Sequence, residues 1–125
     1  GLKPIARIVA SATHSLAPKN FADAPAEVIR KVVDKAGLQL HDIDLFEINE
    51  AFAAVPLVAI KQLEIDPDKV NVNGGAVSIG HPIGASGGRL AATLIRELKQ
   101  RKARFGVASL CIGGGEAVAV LFETV

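Results

Sequence analysis

The 125 residues include no methionine, tryptophan or tyrosine, and five phenylalanines are the only aromatic side chains. With glycine at position 1 and no methionine anywhere, the expectation is a processed piece or part of a longer polypeptide. A single cysteine, Cys111, excludes an internal disulfide and fits a reducing compartment, for which the cytoplasm is the expected one. No apolar run reaches the ~18 residues of a membrane span, and no basic-then-apolar leader opens the chain, so no membrane partner is expected. Neither sign of charge is in excess. Fourteen Lys and Arg face thirteen Asp and Glu, a formal net charge of +1, which points to no nucleic-acid partner. GxGxxG is missing after the first strand and GxxxxGK[ST] is missing throughout, so the nucleotide-binding fingerprints are not met. One cysteine and three scattered histidines also lack the spacing of a zinc site.

What is present is apolar and patterned. Half of the residues are hydrophobic, enough for one core, and residues 1–125 are read as one domain. Ala6 to Ala12 reads as a buried strand. A helix follows from about Asp23 to Gly37, with Val28, Ile29, Val32 and Val33 on one face and charges on the other. Ile43 to Ile48 is a second strand. It leads into a helix from Asn49 to about Leu63 that is apolar nearly all round, with Pro56 set either to kink it or to delay its start. Val70 to Asn73 is a short third strand, and Pro82 to Arg101 a third helix. Phe105 to Leu110 and Ala117 to Phe122 close the chain as a hairpin, so the last strand should run antiparallel. The order βαβαβαββ implies an α/β domain with a mixed, mainly parallel five-stranded sheet.

The stretch NVNGGAVSIGHPIGASGG, Asn71 to Gly88, stands out. Glycines surround one histidine, His81, which is followed by a proline suited to a helix start. His81 should therefore lie at a helix N-terminus, a setting that favours the neutral imidazole a general base needs. The glycines lining the third helix cost it roughly 1 kcal/mol each against alanine, so another backbone should approach closely there. In an open α/β sheet, sites form beyond the carboxyl ends of parallel strands. That rule collects His14, Asn49, His81 and Cys111 at one edge. Each has a plainer reading: an N-cap for Asn49, a buried small hydrophobe for Cys111, a helix cap for His81. His14 has no glycine context and is taken as structural or solvent-facing. Gly113 to Gly115 is either a simple turn or a nest of N–H donors for an oxyanion.

Asn49-Glu50-Ala51-Phe52, Gly80-His81-Pro82 with GASGG, and Cys111-Ile112-Gly113-Gly114-Gly115 resemble, in order and spacing, the signature blocks of the thiolases, the acetyl-CoA C-acyltransferases. The likeness covers the whole chain and corresponds to the C-terminal half of a thiolase. It implies two similar halves packed as α/β/α/β/α, with the small-residue helix in the middle layer. It also implies condensation of two acetyl-CoA molecules or thiolysis of 3-ketoacyl-CoA, with acetyl-CoA and other CoA thioesters as substrates and no resident cofactor. The acyl-carrying cysteine would belong to the N-terminal half of the thiolase, which is the partner of this domain in an enzyme expected to be a homo-oligomer. On this resemblance His81 activates that nucleophile and helps hold a thioester oxygen, while Asn49 fixes a water in the same oxyanion hole. Cys111 is the acid/base for the α-proton, and the Gly113 N–H donates to a second oxyanion hole. Two rival readings remain: a non-catalytic subunit that only pairs with the other half, and a cysteine–histidine hydrolase built on Cys111 and His81.

Overall fold

A computed structural model describes residues 1–125. Four strands, β1 (Ala6–Ser15), β2 (Leu45–Ile48), β3 (Phe105–Ile112) and β4 (Glu116–Thr124), form one sheet in the order β1-β4-β3-β2. β4 is antiparallel to both β1 and β3, and only β2 and β3 pair in parallel. The expected antiparallel last strand is present. The expected five strands and mainly parallel pairing are not. Because β4 inserts between β1 and β3, it separates strands that run in one direction, and β1, β2 and β3 still point the same way.

The third strand is reduced to one parallel bridge between Val70 and Phe46. Asn71 turns out of the strand path with φ +48, and its side chain takes over the pairing. Its Oδ1 accepts from the Ile48 N–H at 2.8 Å, and its Nδ2 donates to the Ile48 carbonyl at 2.8 Å. One side-chain amide thus stands in for the peptide of a further strand residue, and the ladder ends there. The backbone groups of Ile48 are satisfied without a fifth strand, as buried backbone must be.

The helices are α1 (Ala24–Lys35), α2 (Ala54–Leu63), the single turn α3 (Ala76–Ile79) and α4 (Ile83–Arg101). α1 buries Val28, Ile29, Val32 and Val33, as its spacing predicts. It ends on Gly37 at φ +71, with Leu38 N–H donating to the Val33 carbonyl at 3.2 Å and Gly37 N–H to the Asp34 carbonyl at 2.9 Å. That pair of reversed bonds is a Schellman closure, which requires a left-handed residue at this position. Pro56 neither kinks nor breaks α2. The helix starts late, at Ala54, so Pro56 falls in its first turn, where the missing N–H has no intrahelical partner to lose.

α1 and α2 pack on one face of the sheet around Phe46, Ile48, Val107, Ala119 and Leu121. α4 packs on the other, setting Leu90, Leu94 and Leu98 against Leu45, Ala108 and Phe122. Gly106 permits this closeness, since a Cβ there would meet Leu94 and Leu98 side-chain carbons at 2.8 Å. The outer side of α4 is uncovered. Around Gly84, Gly87 and Gly88 a Cβ would meet nothing within 4 Å, so the close backbone approach expected along this helix is not made within the chain. α2 is likewise buried on one side only, with Leu57 64% exposed.

Candidate active site

Asn49 follows β2 directly, and its N–H continues the pairing by donating to the Ser109 carbonyl at 2.9 Å. Strand alternation puts Leu45 and Glu47 on the α4 face and Phe46 and Ile48 in the opposite core. Asn49 continues the α4 side and is fully buried. His81 lies one residue before the cap of α4, because Pro82 is the N-cap rather than the first helical residue. Gly80, at φ +89, turns the chain out of α3 to present the imidazole. The two side chains meet: Asn49 Nδ2 stands 3.3 Å from His81 Nε2. On the other ring nitrogen, His81 Nδ1 stands 2.6 Å from Ser86 Oγ.

Cys111 enters from β3, where it pairs with Ala117 across the hairpin. It is half-buried, and desolvation pushes its thiol above the usual range. Gly113 follows in the hairpin turn, where two successive glycines, Gly114 and Gly115, take φ +95 and +90. Gly115 is also held by contact, since a Cβ would lie 2.5 Å from the Leu16 carbonyl oxygen. Gly113 carries no such demand and borders open space.

His81, Cys111 and Gly113 line one open cavity of about 630 Å³, whose wall includes Phe52, Ile83, Gly84 and Gly88. Asn49 does not line it and reaches it only through His81. Phe21, from the segment after β1, packs edge-on against Phe52 with centroids 5.7 Å apart. His81 and Cys111 therefore meet at the cavity with Asn49 bonded behind His81, although Cys111 lies within β3 rather than past its end. β1 runs to Ser15, so His14 lies inside the strand rather than past its end, and it does not line the cavity.

The chain as a whole is similar to known proteins. Residues 2–124 match the family described as "Thiolase, C-terminal domain". The chain belongs to that family. It is 55% identical over 122 residues to the mitochondrial acetyl-CoA acetyltransferase of Rattus norvegicus, covering 98% of this chain and 28% of that protein. It is 51% identical over 124 residues to the acetyl-CoA acetyltransferase of Shinella zoogloeoides, covering 99% and 32%. Among solved structures it resembles the Bacillus anthracis acetyl-CoA acetyltransferase, with a TM-score of 0.96, 49% identity and coverage of 99% and 32%. Human mitochondrial 3-ketoacyl-CoA thiolase is matched at a TM-score of 0.96 and 43% identity, covering 98% and 31%. This thiolase domain thus spans about a third of the length of those relatives.

The sequence reading missed the residues that hold the thiolase motifs in place. Glu50 is the clearest. One carboxylate oxygen accepts from Asn71 Nδ2 at 3.0 Å and the other from the Val77 N–H at 2.9 Å. It thereby ties the NEAF segment to the start of the loop that delivers His81. Gly75 must be glycine for this, because a Cβ there would lie 2.6 Å from the Glu50 carboxyl carbon. Below Asn49, Glu47 is buried with Arg89 Nη1 at 4.0 Å, and one of its oxygens has no hydrogen-bond partner. Desolvation raises its carboxyl to about 7, against the opposing pull of Arg89. The available signals were indirect: acidic residues within or beside NEAF, and a serine five residues after the histidine.

Proposed function

We propose that this domain supplies the acid/base and oxyanion side of an acyltransferase site. Together with an N-terminal half that carries a nucleophilic cysteine, it acts on acetyl-CoA and related CoA thioesters. The observation that carries the reading is the meeting of His81, Cys111 and Gly113 on one cavity, with Asn49 bonded to His81. In the condensation, His81 Nε2 takes the proton of the partner nucleophile, whose sulfur displaces CoA from a first acetyl-CoA. Cys111 then removes an α-proton from a second acetyl-CoA. The resulting enolate carbon attacks the acyl-enzyme carbonyl, forming the C–C bond and expelling the nucleophile's sulfur. Thiolysis of a 3-ketoacyl-CoA is the reverse sequence. A thiol raised by burial gives a more basic thiolate, which suits a weakly acidic α-proton. Backbone N–H from Gly113 and the His81–Asn49 pair would each meet an oxyanion.

The uncovered side of α4 and exposed Phe52, Leu57 and Ile83 support a large apolar partner surface, which the N-terminal half would cover. The intact enzyme is proposed to be a homo-oligomer without a resident cofactor, in a reducing compartment, cytoplasmic in the simplest case. The hydrolase reading would need His81 to pair with Cys111 as base and nucleophile within this chain, and the His81 ring nitrogens are bonded to Asn49 and Ser86 instead.

The test is a chimera in which this domain replaces the matching third of the Bacillus anthracis acetyl-CoA acetyltransferase. Single-turnover acylation is measured beside steady-state condensation. His81→Ala should slow acylation by roughly 10² to 10⁴, the usual cost of losing a general base. Cys111→Ala should spare acylation and block condensation. If Cys111→Ala slows acylation as much as His81→Ala does in a folded chimera, the roles are misassigned.

A further inference from the structure

Ser86 is the fourth residue of α4 and is fully buried. A helical serine can return its hydroxyl to the carbonyl four residues earlier, and Ser86 Oγ donates to the Pro82 carbonyl at 3.2 Å. A hydroxyl has one proton to give. With that proton committed, Ser86 can only accept from the atom 2.6 Å away, His81 Nδ1. The imidazole proton then belongs on Nδ1, and Nε2 keeps its lone pair. Asn49 agrees from the other side, because an amide nitrogen 3.3 Å from Nε2 can only donate to it. With the Ser86 proton on Pro82, the consistent arrangement runs from Asn49 to Nε2, from Nδ1 to Ser86 and from Ser86 to Pro82.

We propose that Ser86 is a positioning residue that fixes the Nδ1–H tautomer of His81, so that Nε2 is the ring atom that keeps the lone pair able to receive a proton. The catalytic consequence rests on the acyltransferase reading above; the tautomer does not. The network also accommodates the product of that step. When Nε2 takes a proton from a thiol, leaving a thiolate, Nδ1–H stays bonded to Ser86 and Nε2–H faces an amide donor. Asn49 Oδ1 is buried without a partner, and a half-turn of the amide brings it to accept from Nε2–H.

The experiment is ¹⁵N NMR of histidine-labelled chain 1–125, assigned with His14→Gln and His41→Gln variants, beside acylation in the chimera. His81 should show protonated Nδ1 and unprotonated Nε2, the less common form of a free neutral imidazole. Ser86→Ala should restore protonated Nε2 and slow acylation about 10- to 100-fold, as when a bond orienting a working imidazole is lost, with little change in KM. Ser86→Thr, which keeps the hydroxyl, should retain the Nδ1–H form. Protonated Nε2 in the unmodified chain, or an unchanged tautomer in Ser86→Ala, would overturn the proposal. The expected tautomers with no acyl transfer in the chimera would leave the positioning role standing and remove the acyltransferase reading.

Discussion

Glu47 and Gly113 show how little a residue's chemistry says until its surroundings are known. Glu47 lies on the α4 face of β2 with a single loose ionic contact, and burial lifts its carboxyl from the usual 4.5 to about 7. A carboxyl that holds its proton more tightly when folded binds more protons in the native than in the unfolded state across that window. The contribution of this group to stability should therefore be most favourable below about pH 4.5 and fall as pH rises toward 7, with no further change above it. The shift corresponds to a few kcal/mol at most, roughly 3 by the ~1.36 kcal/mol per unit conversion. Urea unfolding of wild type and Glu47→Gln at several pH values isolates the effect. The variant should lack this downward slope, and an unchanged slope would contradict the assignment.

The two ends of the glycine turn should separate stability from function. Gly115→Ala places a methyl against the Leu16 carbonyl at a positive φ, and should cost a few kcal/mol in the urea midpoint. Gly113→Ala meets nothing within 4 Å and should leave stability within about 0.5 kcal/mol. It adds a methyl at a cavity-lining position, so condensation by the chimera should still fall. Equal destabilisation by the two substitutions would count against this geometry.

At the scale of elements, what could be read from the sequence was whatever carries a periodic or punctuated signal. α1 is legible because its apolar spacing and Gly37 act locally, and the hairpin because a short glycine run joins two apolar stretches. The edge where these residues gather was legible too, since Asn49 follows β2, His81 precedes α4 and Cys111 is the next-to-last residue of β3. The fifth strand was misread because Val70 to Asn73 has strand-like residues but its pairing is completed by a side chain, which no periodicity encodes. The parallel bias failed for a related reason: β4 inserts between β1 and β3, a non-local choice. The support residues Glu50, Asn71 and Ser86 act through contacts across 21 to 27 residues or back to an earlier turn, and only the fold reveals them. Gly37→Ala tests the local side of this account. A non-glycine residue forced left-handed at the Schellman closure should cost about 1 kcal/mol or a little more, seen as a lower midpoint in urea with an unchanged denaturant slope.

At the scale of the molecule, the domain buries two cores yet leaves much apolar surface open. The small-residue side of α4 has no neighbour, and Phe52, Leu57, Val77, Ile79 and Ile83 are all more than 60% exposed. A patch of this kind marks an interaction surface in a stable protein. Chain 1–125 on its own should self-associate with rising concentration in sedimentation and bind a hydrophobic dye, and both should diminish in the chimera. The proposed roles point the same way, because a base and an acid/base thiol would need a separate acyl acceptor before covalent catalysis could begin. The most direct test of the central claim is therefore acetoacetyl-CoA thiolysis by this domain alone and by the chimera. The account predicts no turnover by the domain alone, and turnover by the chimera that disappears with Cys111→Ala. Turnover by the domain alone, or a folded chimera whose activity survives Cys111→Ala, would contradict it.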